Sequence, residues 1–320
     1  MQREVLQVVE TAQSVYFMTI VYEEGDIGSA KGNVYSFSGE RRPGNVPTQV
    51  LATNDSLRVM WVSPSGALWI ASADGNVGTT AVVSWPTPAG RPVDYAPMGG
   101  SPAWSVTSLP RVRATGLPPN VTALWGTADD DVLAGTYGGH IYHWDGASWK
   151  QVHDGPDNGE ETVRAFGGLS RSDVFAVAAG ATILHFDGGR WLRMPLPGAS
   201  NGSEVFTAVS ALPGGDVLIS GVGSQGRLLH GTAAGLSEFG RYPLQLMDMA
   251  TIGDQVLFAT ADGAAERFGR DVRMIKPNFR PASICRGIGR LFFIEAAQEA
   301  PRYIEFDPSK SDAPWWRFSF

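Results

Sequence analysis

Five histidines, a single cysteine and scattered carboxylates are the groups in this chain with chemistry to offer. The histidines are His140, His143, His153, His185 and His230. None sits in a His-Glu-x-x-His pattern and Cys285 has no second thiol, so no zinc site is expected. Asp129-Asp130-Asp131 lacks the alternating acids, glycine and distal glutamate of a calcium loop and reads as a solvated turn. Gly221-Val222-Gly223-Ser224-Gln225-Gly226 matches G-x-G-x-x-G, which binds phosphate only between a strand and a helix N-terminus. The run that follows, Arg227-Leu228-Leu229-His230, reads as a strand, so these glycines are expected to form a hairpin turn. Cys285, within Ser283-Ile284-Cys285-Arg286, reads as a buried and inert strand thiol. No catalytic residue, metal or cofactor is therefore assigned.

What must position any other site is set by composition. Of 320 residues, 43% are hydrophobic and 18% charged, which suits a folded globule rather than a disordered chain. The 39 glycines and 21 prolines are spread evenly, as many short strands with many tight turns require. A net charge of −7 repels phosphate backbones, so nucleic acid is not an expected partner. The apolar patch Val15 to Tyr22 follows Glu4 and Glu10, where an export signal would carry positive charge, and no uncharged run is long enough for a membrane helix. With one cysteine, the expectation is a cytoplasmic monomer that does not touch a membrane.

The chain repeats itself. Ala123-Leu124-Trp125-Gly126, Asp131-Val132-Leu133-Ala134, His143-Trp144-Asp145-Gly146 and Trp149 align with Ala165-Phe166-Gly167-Gly168, Asp173-Val174-Phe175-Ala176, His185-Phe186-Asp187-Gly188 and Trp191. Each unit reads as four short strands, A to D. The second-strand pattern recurs at Ser14, Ala67, Asp131, Asp173, Asp216, Gln255 and Arg290, a spacing suited to propeller blades. A strand C ending recurs at Phe37, Trp85, Trp144, Phe186 and Phe306. One small antiparallel sheet cannot bury both faces alone, whereas sheets stacked radially in a ring can. The expected fold is all-β, a single seven-bladed β-propeller of four-stranded antiparallel blades rather than six or eight. Approximate blades are 1–53, 54–118, 119–154, 160–196, 203–244, 245–277 and 280–320. Each blade is one continuous segment, so the first and last close the ring face to face, with Trp315, Trp316, Phe318 and Phe320 as closure residues.

The two best segments resemble a bacterial propeller repeat of the form Trp-Gly, Asp-Val-x-Ala and His-Trp-Asp-Gly-x-x-Trp. His143-Trp144-Asp145 is also similar to the Trp-Asp ending of WD-repeat blades, although the Gly-His pair preceding strand A there is missing. The resemblance implies the fold and leaves function open.

Propellers bind through the loops joining B to C and D to the next A, because variable loops on a rigid scaffold carry function. Two acidic segments fall on that rim: Glu23, Glu24 and Asp26 in blade one, and Asp154, Asp157, Glu160 and Glu161 between blades three and four. An excess of chain from 86 to 118 carries Tyr95 and Trp104, residue types that anchor protein interfaces. Its position depends on whether strand D of blade two is Val93 to Pro97 or Arg111 to Leu117. The reading is a non-catalytic module whose acidic loops bind another protein that has a basic surface, such as an immunity protein neutralising a bacterial toxin or effector. The alternatives are a hydrolase, lyase or lactonase with its site in the central channel, and a carbohydrate binder using exposed tryptophans.

Overall fold

The computed structural model describes residues 2–37, 46–85, 96–97, 103–156, 160–198, 204–295 and 302–319. Among them there are 29 strands and no helix, in seven antiparallel sheets ordered A-B-C-D along the chain. Blade one uses Gln2–Glu10, Val15–Glu23, Asp26–Phe37 and Thr48–Thr53, and blade two Leu57–Val62, Leu68–Ser72, Asn76–Thr79 and Ser105–Ser108. Blade three is Val121–Ala128, Asp131–Thr136, Ile141–Trp144 and Trp149–His153, and blade four Val163–Ser170, Asp173–Ala178, Thr182–Phe186 and Trp191–Arg193. Blade five is Val205–Ala211, Val217–Val222, Gly226–Thr232 and Gly235–Tyr242. Blade six is Asp248–Ile252, Gln255–Thr260, Gly263–Phe268 and Asp271–Pro277, and blade seven Pro281–Arg286, Leu291–Glu295, Arg302–Phe306 and Trp315–Ser319. The protein is a seven-bladed β-propeller.

Among the described residues the buried hydrophobic side chains form seven clusters, one between each pair of neighbouring blades. Strand B shows why. Side chains alternate across a strand, so Val132 and Ala134 pack toward blade two while Leu133 packs toward blade four. With both faces covered, strand B reads as an unbroken apolar run, which is what made it a ruler for the repeat. The Trp-Gly motif has an equally local cause. A Cβ on Gly126 would lie 3.0 Å from the Trp61 ring of blade two, and one on Gly168 would lie 3.2 Å from Trp125 of blade three. A tryptophan in one blade is thus seated on a glycine in the next.

The prolonged stretch after blade two's strand C departs from expectation. Strand C ends at Thr79, not at Trp85, because it must pair in register with the short strand B (Trp69 opposite Thr79). Strand D is Ser105–Ser108, and neither Val93 to Pro97 nor Arg111 to Leu117 fills that role. Instead Ala96–Pro97 pairs with Leu51 and Ala52, adding a fifth strand to the outer edge of blade one.

Polar side chains tie the inner strands together across blade boundaries. A bulge in strand A leaves Thr122 and Thr207 unpaired within their own sheets. Their hydroxyls donate to the carbonyls of Val163 (2.7 Å) and Leu246 (3.0 Å) in the next blade. One position further along, Gln7 accepts the Met60 N–H, and Asp248 accepts the Ile284 N–H at 2.8 Å. Each such bond is worth about 1 kcal/mol net and ties a backbone group of one blade to a side chain of its neighbour.

The ring closes without strand exchange. Val5, Val8, Val15 and Phe17 of blade one pack on Cys285, Phe292, Ile294 and Tyr303 of blade seven. Arg290 donates Nε to Glu10 at 2.9 Å and a second nitrogen to its other carboxylate oxygen, while Nη1 reaches Glu305 at 2.9 Å. The expected aromatic closure holds in part. Phe318 stacks on Tyr303 at this joint. Trp315, pointing the other way along an alternating strand, packs with Phe279 and Phe293 between blades six and seven. Trp316 is exposed, and Phe320 lies outside the described residues. Cys285 is buried as expected; burial pushes its thiol up to about 12 despite a hydrogen bond with the Val8 backbone.

Replacing Arg290 with Met leaves two largely buried carboxylates uncompensated and is expected to lower stability by about 3 kcal/mol in urea unfolding. The exposed Arg273–Asp271 pair serves as control, with R273M changing stability by no more than about 0.5 kcal/mol. A pH effect is expected at Asp248, whose fully buried carboxyl is pushed up to about 7 by burial, against the pull of the Ile284 and Met249 N–H groups. The folded protein keeps a proton that the unfolded chain releases near 4, so this group's contribution to stability falls as pH rises from about 4 to about 7. Urea midpoints should lose that component of their slope in D248N.

Candidate functional site

The B–C turns and D–A connections share one rim of the ring, and the A–B and C–D turns share the other. On the first rim, blade one's acidic segment is not a long loop. Strands of nine and twelve residues run out to a two-residue turn, with Glu23 paired opposite Asp26 and Gly25 at φ 83°. Blade three's corresponding strands have six and four residues. The extra length carries Glu23, Glu24 and Asp26, all exposed, to the tip of an extended hairpin.

The connection between blades three and four is more constrained than a solvated charge run. Asp154 is exposed but accepts from Gln151 and lies 3.7 Å from Arg113. Behind it the Gly155 N–H donates to His140 Nδ1 at 2.9 Å, and burial lowers the tendency of His140 and His153 to protonate, with Asp154 opposing it in both. Glu160 is exposed. Glu161 is mostly buried and held by Thr182 (2.7 Å) and Arg193, so it is an internal strut of blade four rather than a surface acid. Asp157 and Tyr95 lie outside the described residues. Trp104 is half-buried against the cluster between blades one and two, which takes it out of the set of surface anchors.

The same rim holds a feature that the sequence did not reveal. A cavity of about 650 Å³ between blades six and seven is lined by Asp262, Phe279, Arg280, Glu295, Arg302 and Arg317, among others. Its charged members come from a B–C turn, a D–A connection and three different strands of blade seven. No linear motif could have marked them. Arg317 lies 3.5 Å from the buried Glu295.

Between blades four and five, the buried Arg227 donates to Glu204 (2.6 Å) and Glu238 (3.0 Å), and Arg241 donates to both carboxylates. Burial raises the Glu204 pKa, but its bonds from the two arginines outweigh that and hold it below the usual carboxylate range. Nearby, the glycine-rich stretch is the expected B–C turn between two strands.

On the opposite rim, the histidines explain themselves. His143, His185 and His230 each bond the aspartate that opens strand B of the same blade, at 2.8, 2.7 and 3.0 Å from Asp131, Asp173 and Asp216. Gln255–Glu266 in blade six and Arg290–Glu305 in blade seven occupy the same two positions. The Asp129 to Asp131 turn is not simply solvated. Asp129 accepts from Ser65 and from Trp69 Nε1 (3.0 Å) of blade two, and these bonds with Ser63 overcome burial to lower its pKa. Asp131 is bonded to Thr127 and His143, leaving Asp130 as the solvated member. The Asp-Gly turns before Trp149 and Trp191 are built alike, with Asp145 and Asp187 each accepting two backbone N–H groups. Among the described residues no three His, Cys, Asp or Glu side chains come together as a metal cluster. Of the ten tryptophans, Trp316 is the exposed one.

No protein-family model and no curated protein matches the chain. Solved structures do. Virginiamycin B lyase from Staphylococcus aureus superposes with a TM-score of 0.63 at 10% identity, covering 91% of each chain. The WD40 β-propeller domain of Doa1 gives 0.60 at 13% identity, covering 93% of this chain and 90% of that one. YCF48 bound to D1 peptide gives 0.59 at 13% identity, covering 98% and 94%. At these identities the similarity is one of fold.

E204Q should cost about 3 kcal/mol at pH 7, because it strips the buried Arg227 of its principal counter-charge. Glu204's depressed pKa stabilises the fold above its unfolded value of about 4.5, and that contribution disappears as pH falls through the folded value. The stability gap between wild type and E204Q should therefore close in acid, as read by urea unfolding across pH 3 to 7.

Proposed function

We propose that this protein is a non-catalytic binding module whose partner is another protein with a basic surface, docking on the rim formed by the B–C turns and D–A connections. The observation that carries this reading is the blade-one hairpin, which holds Glu23, Glu24 and Asp26 exposed at the end of strands longer than the fold requires. Asp154 and Glu160 lie on the same rim and extend the acidic surface toward blade four. Charges placed in this way steer encounter and select partners more than they add raw affinity. The peptide-bound and WD40 structures of the same fold support the choice of a protein partner. Neutralising a basic bacterial toxin or effector, as a cytoplasmic monomer, is the form of this function we favour; the net charge of −7 and a single buried cysteine support it.

A propeller enzyme is the second reading. The cavity between blades six and seven favours it, since arginines and carboxylates line a space large enough for a small anionic substrate.

The test is the triple variant E23Q/E24Q/D26N. All three side chains are exposed at the tip of the hairpin, so stability should change by no more than about 0.5 kcal/mol. Quantitative pull-downs from the source cell, at low and high salt, should recover a stoichiometric partner with wild type. The variant should recover it about tenfold less well at low salt. Equal recovery by both proteins, or recovery indifferent to salt, overturns the reading.

A further inference from the structure

Three arginines line the cavity between blades six and seven: Arg280 on the D–A connection, Arg302 on strand C and Arg317 on strand D of blade seven. Two carboxylates join them, the exposed Asp262 on the B–C turn of blade six and the buried Glu295 at the end of blade seven's strand B. Glu295 is already engaged, with Arg317 Nε at 3.5 Å. Arg280 is exposed and has no ion pair among the described residues. In a chain of net charge −7, this local excess of positive charge needs a cause.

Blade five shows the same place with its charges balanced. Counted from the bulge in strand A, Arg227 of blade five and Arg302 of blade seven hold the same position on strand C. In blade five that arginine lies between two acids, Glu204 at 2.6 Å and Glu238 at 3.0 Å. The same count puts Phe279 of blade seven where Glu204 stands, and Arg317 where Glu238 stands. Phe279 is buried, its ring turned into the core of the joint against Phe293 and Trp315. One acid is regained, because Glu295 replaces Gly221 at the end of strand B. Blade seven thus keeps the arginine, loses both glutamates and adds Arg317. A cavity opens where blade five has a closed ion-pair network.

We infer that this cavity binds a small molecule by an oxyanion, a carboxylate or a phosphate monoester, which takes the place of the glutamates missing from blade seven. Planar guanidinium groups bond such oxygens in pairs, so arginines converging from separate elements select an oxyanion. A volume of about 650 Å³ leaves room for the body of the ligand beyond its anionic group. Glu295 and Asp262 limit how much negative charge can enter, which favours a single oxyanion over a polyanion. The inference rests on the cavity named for the enzyme reading but asks for binding alone. An oxyanion bound and left unchanged keeps the inference and removes that reading. The acidic hairpin of blade one takes no part in it.

The test follows the arginine Nε–H signals of the intact, isotope-labelled protein, with R280Q and R317E identifying two of the peaks. Inorganic phosphate and succinate are titrated separately at constant ionic strength. At least one should shift the Arg280 and Arg317 peaks and saturate on the order of 1 mM. The tighter of the two tells a phosphate monoester from a carboxylate as the source of the oxyanion. R280Q, an exposed change, should weaken that probe about tenfold through loss of a charge-assisted bond. R317E installs the acid that blade five has at this position and should abolish saturation; if it fails to fold, R280Q carries the test. R273M removes the same charge from an exposed site outside the cavity and should bind as wild type does. No saturable shift with either probe, undiminished binding in R280Q, or R273M as weak as R280Q overturns the inference.

Discussion

Each blade of this protein has two apolar faces and no means of covering either by itself. The alternation of side chains along strand B sends one set to the preceding blade and the other to the following one, so stability resides in the joints rather than in the sheets. A ring of such joints has no end to leave uncovered, provided the seventh forms. That is the burden of the contact between blades one and seven, where apolar packing is reinforced by Arg290 held between Glu10 and Glu305. With no strand shared between them among the described residues, blades one and seven are held together by this packing, by the Arg290 ion pairs and by bonds to the Ile288 and Val8 backbone.

The same constraint governs the polar groups. On strand A a polar side chain reaches a backbone atom of the next blade, with a hydroxyl donating from Thr122 and Thr207, an amide oxygen accepting at Gln7 and a carboxyl accepting at Asp248. The cross-strand pair at the start of strand B varies in the same way. Asp and His in three blades become Gln and Glu in the sixth and Arg and Glu in the seventh, where the carboxylate has moved from strand B to strand C. Geometry is repeated while residue identity drifts. The repeat is therefore plain in two blades and dilute in the other five.

Because neighbouring blades occupy both faces of each sheet, what remains for binding is the two rims, the outer edges and whatever gaps the repeat leaves. The extended hairpin of blade one and the arginine-rich cavity between blades six and seven are two such places. Each arises where one blade departs from the pattern of its neighbours: longer strands in the first case and a D–A connection carrying charge in the second.

The fold was legible in the amino-acid order because both-sided burial writes a recurrent apolar run, and because tight turns demand Gly and Asp at fixed offsets, as at Asp145-Gly146 and Asp187-Gly188. Pairing register decided what periodicity could not express: blade two's strand C stops at Thr79, its strand D begins at Ser105, and two residues between them join blade one. Candidate surface residues were still harder to judge from type alone. Glu23, Glu24 and Asp26 are exposed as their charge suggests, yet Glu161 is mostly buried, bonded to Thr182 and to the exposed Arg193, and Trp104 packs half-buried against the core. Whether a carboxylate faces water or a buried arginine depends on partners tens or hundreds of residues away, and only the closed ring brings those partners into contact.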